Sequence, residues 1–113
     1  MHLNRFSDAR PYDAKRHFGM IGLQLQGGEA SPIQAFTCGL SHFLPGGGAE
    51  MAASPSEKIY VVISGEVTVI TQSGSVTLGP LDSCHLDPGE ARAIENRSNA
   101  VASMLVVLSK PGA

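Results

Sequence analysis

The chain has 113 residues, 42% of them hydrophobic and 16% charged, with a formal net charge of -2 at pH 7. That suits one domain around one modest core and excludes a disordered tail. The charge balance gives no reason to expect nucleic acid or an anionic membrane surface as a partner, and no apolar run is as long as a membrane span.

Residues 1–19 are polar and irregular, with Pro11 as a breaker, and are expected to drape over the domain or exchange with a partner subunit. The first eight, Met1-His2-Leu3-Asn4-Arg5-Phe6-Ser7-Asp8, lack the apolar core of a secretory signal. The folded domain is expected over 20–113. Thirteen Gly and seven Pro cut it into short runs, the mark of many strands and tight turns. The predicted strands are 20–26, 34–44, 58–64, 66–72, 76–78, 84–86, 92–96 and 101–108, all rich in Val, Ile, Leu and Thr. Val67, Val69 and Thr71 share one face of their strand, and Thr68 and Ile70 the other. Ser64-Gly65 reads as a corner and Ser73-Gly74 as a hairpin turn. Pro45-Gly46-Gly47-Gly48-Ala49-Glu50 reads as a loop that needs special backbone angles. No helical period holds after residue 20, so the class is all-β.

Two further expectations concern surroundings. Cys38 and Cys84 are too few for a disulfide framework, which points to buried free thiols and a cytoplasmic setting. Residues 58–64 and 101–108 are apolar on both faces and need cover on both sides. A barrel interior would cover one side and a second sheet layer or another subunit the other, which is the basis for expecting a homodimer.

Two stretches carry a family pattern. The first is Pro45-Gly46, then Ala52, Ser54 and Lys58, then Gly65-Glu66; the second is Pro88-Gly89, Arg92 and Asn96. In order and spacing they resemble the paired motifs of the cupin superfamily over roughly residues 34–109. The resemblance implies a double-stranded β-helix, a jelly-roll barrel. It also implies a metal site of two His and a Glu from the first motif and a His from the second. Here those places read Ala52, Ser54, Lys58 and Arg92, so no metal or other cofactor is expected.

Lys58 and Arg92 at those places would project into one barrel mouth and form an anion site, Arg as a planar fork and Lys as a point charge. Each would disfavour the other's charge, so Lys58 is expected to have a lowered pKa and to serve as base or nucleophile. Tyr60 shares its strand parity and is a candidate proton donor. His42, on the face of Cys38 and Leu40, is the third candidate catalytic residue. Ser54, Glu50 and Met51 are candidate ligand contacts beside Arg92.

Other readings stand beside these. Lys58 and Arg92 could be tied by Glu50, Glu57, Glu90 or Glu95 in structural salt bridges. His42, Glu50 and Cys84 could rebuild a metal site. His85 should point away from the interior if Cys84 points in. The function expected is binding of a small organic anion, a carboxylate above all. Metal-independent isomerisation, tautomerisation or decarboxylation would follow if the site is catalytic. The alternatives are a non-catalytic sensing module and a metal-dependent enzyme with replacement ligands.

Overall fold

The structure is a computed structural model that describes residues 1–110. A 3₁₀ turn at Phe6–Asp8 precedes nine strands: β1 Arg10–Tyr12, β2 His17–Gln26, β3 Phe36–Ala52, β4 Lys58–Ser64, β5 Val67–Thr71, β6 Gly74–Leu78, β7 Ser83–Leu86, β8 Arg92–Glu95 and β9 Ala102–Ser109. They form one sheet in the order β6-β5-β8-β3-β9-β4-β7, with β2 also on β3 and β1 on β2. Every pairing is antiparallel. The sheet curls into a nearly closed barrel, the all-β class expected.

β3 organises the barrel because it changes partner along its length. Phe36–Phe43 pairs with β9, while Gly48, Ala49 and Ala52 pair with β8. Between them Leu44-Pro45-Gly46-Gly47 stands opposite the single residue Gly19 of β2. Pro45 cannot donate to a ladder, and Gly46 sits at φ +81°, so the strand bulges here. The predicted loop at 45–50 is therefore a kinked part of a strand. Its glycines serve close approach as well as turning. A Cβ on Gly48 would lie 1.9 Å from the carbonyl oxygen of Ile94, and one on Gly47 would lie 2.1 Å from that of Gly19.

Asn96 fixes the point of exchange. It is buried, and its Nδ2 donates to the carbonyls of Phe43 at 3.0 Å and Ala100 at 2.8 Å. Its Oδ1 accepts from the backbone N–H and hydroxyl of Ser98. The motif Asn thus spends all its side-chain hydrogen bonds on structure.

Alternation sorts the two faces. Phe43, Tyr60, Val62, Val67, Val69, Ile94, Ala102 and Met104 belong to the buried core. Gln72 and Ser73 make the two-residue turn between β5 and β6, with Thr71 opposite Gly74, one residue earlier than the Ser73-Gly74 expected. The corner at Ser64-Gly65 holds, with Gly65 at φ +76°.

The N-terminal segment departs from expectation. Residues 1–19 are not irregular throughout: β1 lies within them and β2 begins at His17. The ring of Tyr12 from β1 occupies the space that a Cβ on Gly22 would enter, at 2.9 Å, and its hydroxyl lies 3.1 Å from the Cβ position of Gly39. Two glycines on neighbouring strands therefore seat the tyrosine, and the segment becomes part of the sheet.

Candidate functional site

The site begins with two residues of β4. Lys58 faces Leu86 of β7 and Leu108 of β9 across the ladders; Tyr60 faces Cys84 and Val106. Two-residue spacing puts Lys58 and Tyr60 on one face, and their own burial together with that of Leu86 makes it the inner one. Arg92 opens β8 opposite Ala52. The three side chains meet inside the barrel. Arg92 Nε donates to the Tyr60 hydroxyl at 2.8 Å, and Nη1 donates to the Glu50 carbonyl at 3.2 Å. Lys58 Nζ donates to the Ser56 carbonyl at 3.4 Å. Lys58 is 4% exposed, Tyr60 2% and Arg92 8%.

Among the described residues, neither cation has a carboxylate oxygen within 4.0 Å. Glu57 pairs with His85, Glu95 with Arg97, and Glu90 accepts from the Asp87 N–H. The structural salt bridges weighed from the sequence are thus not formed. Arg92 Nη2 has no partner in the described residues, yet no fully buried side-chain nitrogen or oxygen there lacks one. Nη2 therefore touches space that solvent can reach. Two buried positive charges without counter-charge are costly, and a ligand that accepts from them would relieve the cost.

Electrostatics follow from this packing. Burial, and next the charge of Arg92, lower the pKa of Lys58, while Glu90 opposes the change. Burial raises the pKa of Tyr60 against the lowering influence of Arg92. Burial also raises that of the Cys84 thiol, with Glu90 adding to the effect. Lys58 and Tyr60 are both pushed towards their neutral forms: the ammonium becomes the stronger acid and the phenol the weaker one.

The remaining candidates divide. Ser54 is half-buried in the loop before β4; its hydroxyl accepts from the Ser56 N–H at 3.4 Å, and its carbonyl from the Gly89 N–H at 2.8 Å. It ties the two motif loops together at the mouth. Glu50 reaches Arg92 only through its carbonyl, and its side chain is exposed. Met51 is also exposed. His42 is a correction. It stands opposite Ser103 and Ile21, one residue out of phase with buried Phe43 and Ser41, and its Nδ1 is 2.7 Å from the Ser103 hydroxyl. It therefore belongs to the outer face, away from Lys58 and Tyr60.

One residue near the site was missed in the sequence. His17 of β2 stands opposite Ala49, a core residue that itself faces Ile94. Burial lowers its pKa, the hydrogen bond to the Lys15 carbonyl opposes that change, and the charge of Arg92 lowers it further. The histidine thus lies within the field of the guanidinium.

The family's metal chemistry does not fit these residues. Its four ligand places hold Ala52, Ser54, Lys58 and Arg92, which offer one hydroxyl and two cations that repel a metal ion. The replacement set His42, Glu50 and Cys84 does not converge, since His42 faces outward, Glu50 is exposed and Cys84 faces Tyr60. Among the described residues, the grouping that could hold an ion is Glu57, His85 and Asp87, with ligand atoms within 4.8 Å of one another on the exposed surface. His85 Nε2 is 2.6 Å from Glu57, and the ring points away from the interior as its parity requires.

A cavity of about 590 Å³ opens between the N-terminal segment and β2, bordered by Arg5, Arg10, Tyr12, Gln24 and Glu29. It includes none of Lys58, Tyr60 and Arg92. Its charged side chains, Arg5, Asp8, Arg10 and Glu29, are all exposed, so the barrel interior is the stronger site on charge and burial.

A curled antiparallel sheet with two motif loops meeting at one mouth defines a double-stranded β-helix whose usual metal pocket has become cationic. The chain belongs to the cupin family: the Cupin domain model matches residues 39–108. It is 42% identical over 111 residues to the β-D-galactosidase Rv1717 of Mycobacterium tuberculosis, covering 98% of this chain and 96% of that protein. In shape it resembles the polyketide cyclase RemF of Streptomyces resistomycificus, with a TM-score of 0.84, 15% identity, and 96% of this chain and 79% of that one covered. A predicted oxalate decarboxylase of Thermotoga maritima superposes with a TM-score of 0.78 at 22% identity, over 95% of this chain and 97% of that one. The two structural likenesses show the fold alone.

Proposed function

We propose that this chain is a sugar-processing cupin that takes a β-D-galactoside into its barrel and hydrolyses it without a metal at the motif site. The observation that carries the reading is the donor array of Arg92, Tyr60 and Lys58, buried, free of carboxylate partners, and open at Nη2. Guanidinium, phenol and ammonium groups are strong donors to ring hydroxyls and to the charge that develops on a leaving oxygen. The relative named a β-D-galactosidase supplies the substrate class. The test is turnover of p-nitrophenyl β-D-galactoside, read beside the melting temperature with galactose. Wild type should release p-nitrophenolate and melt higher with sugar, whereas Arg92→Met should do neither. Wild type that neither turns over nor shifts would defeat the reading. Ligand at about 100 times its dissociation constant adds about 2.7 kcal/mol of apparent stability, which a melting curve resolves.

A second reading is favoured by the two unpaired buried cations: binding of a small carboxylate, with proton transfer such as isomerisation, tautomerisation or decarboxylation. Keto acids and hydroxy acids, and galacturonate against galactose, separate the two. Protection by acids but not by neutral sugars selects the anion site.

A further inference from the structure

His17 reaches the barrel through a defect in its own strand. Met20 stands opposite buried Phe43 and packs against the core, which makes its face the inner one. Regular alternation would then turn His17, three residues earlier, outward. Gly19 breaks the alternation. The ladder runs from Met20 opposite Phe43 to Phe18 opposite Gly48, with Gly19, at φ +56°, alone facing residues 44–47 of β3. The left-handed backbone at Gly19 reverses the parity of β2, so His17 lies opposite core residue Ala49, on the inner face.

The ring is also fixed in role. Nδ1 lies 2.7 Å from the Lys15 carbonyl, which can only accept, so Nδ1 carries the hydrogen. The neutral ring therefore keeps its lone pair on Nε2. The turn beneath it is locked. Arg16 holds φ at +60°, a value that side-chain-bearing residues seldom adopt, and its carbonyl accepts from the Glu50 N–H at 2.9 Å. Arg92 on β8 is the cation whose field the ring feels; Lys15 and Arg16 flank it in its own turn, and Glu50 on β3 presents backbone to that turn. A half-buried imidazole with a directed lone pair is the base that the Lys58–Tyr60–Arg92 array lacks.

We infer that His17 is the catalytic base of the barrel, using Nε2 to take a proton from the water that attacks a sugar held by Arg92 and Tyr60. The inference rests on the galactoside reading above. The water oxygen forms the new bond to the anomeric carbon. The glycosidic carbon–oxygen bond breaks with its electron pair going to the leaving oxygen, which takes a proton from the Lys58 ammonium group. Galactose and the free alcohol depart, and solvent carries the proton from His17 back to Lys58.

The experiment compares wild type with His17→Gln, whose amide can still donate to the Lys15 carbonyl. Galactose should raise the melting temperature of both proteins equally. Turnover of p-nitrophenyl β-D-galactoside, whose leaving group needs no acid, should fall about 100-fold or more in the variant, the range for loss of a general base. The acid limb of the wild-type pH profile should vanish with it. Nitrogen-15 spectra of the wild-type ring provide a readout besides rate: they should show the Nδ1–H form, with an Nε2 resonance that moves on adding galactose. If wild type binds and turns over while His17→Gln matches it, the assignment of His17 is overturned alone. An Nε2 resonance indifferent to galactose that does raise the melting temperature overturns it likewise. If wild type neither binds nor turns over, the galactoside reading falls and this one with it.

Discussion

Lys58 is held in a place that disfavours its charge, and this has a signature in stability. Its folded pKa is lowered below the usual 10.5, chiefly by burial and then by Arg92. Between the folded and unfolded values the unfolded chain binds more protons, so stability rises with pH across that window. The penalty is full below the folded pKa and is relieved as pH climbs through it towards 10.5. Urea unfolding of wild type and Lys58→Met across the alkaline range should show the variant more stable near neutrality, with the difference shrinking as pH rises. A constant difference would mean that Lys58 titrates alike in both states. The tyrosines move the other way, since burial raises the pKa of Tyr60, and taking the difference between the two proteins removes their share. At this scale the inner trio was legible, because Lys58 and Tyr60 share strand parity and Arg92 stands in a motif frame. His42 misled because the outer face of its strand is the more apolar one in sequence. The outer face carries Cys38, Leu40 and His42, while the inner face carries Gly39 and Ser41, kept small under Tyr12. His17 was hidden because Gly19 reverses the alternation that would have revealed it.

Among the elements, β3 depends most on single atoms. Gly48 and Gly46 lie two residues apart in the same glycine run but face different constraints. A methyl group on Gly48 would meet the Ile94 carbonyl at 1.9 Å, so β3 and β8 would have to part. Gly46 has nothing within 4 Å of its Cβ position and is limited only by its φ of +81°. Gly48→Ala should therefore lose about 3 kcal/mol or more, at or beyond the usual range for overpacking, and with it the seat of Arg92 opposite Ala52. Gly46→Ala should lose about 1–2 kcal/mol, the cost of a left-handed residue with a side chain. Equal losses in chemical denaturation would show that the close approach of β3 and β8 is not what the glycine serves. Strand limits from the sequence came within a few residues for β4 to β9, where alternation is clean and turns are short. Lys58–Ser64 matched at both ends. Residues 45–50 did not, because Pro and Gly mark a turn in sequence and cannot show that two neighbouring strands draw the segment back into the sheet. β1 was equally hidden: three residues with a proline acquire strand geometry only by pairing with β2.

On the scale of the whole molecule, the barrel leaves an apolar area on its outer face only partly covered. Ile59 and Ile63 of β4 are 45% and 42% exposed. Beside them on the outer face stand Val61, with its partner Leu105, and Val107, the partner of Ile59. The patch continues onto β3 through Leu40, opposite Leu105, and onto β2 through Leu23. Strands apolar on both faces were the sequence basis for expecting a homodimer, and the inner face is now accounted for by the core. A second copy suits the outer one, because a twofold contact sets a flat apolar patch against itself. A standard interface takes about 800 Å² per partner, roughly an eighth of a surface of 6643 Å², and the patch spans four strands. Sedimentation should therefore find a dimer at micromolar concentration. Ile59→Asp sets two like charges across the twofold contact while leaving the core untouched, since Ile59 faces away from Tyr60 and Val62. It should give a folded monomer that still melts cooperatively. Because Lys58 and Tyr60 flank Ile59 on the inner face, the monomer should also keep its site, and galactose should raise its melting temperature as in wild type. A wild-type monomer across that concentration range would refute the dimer, and an Ile59→Asp protein that remains dimeric would place its interface elsewhere.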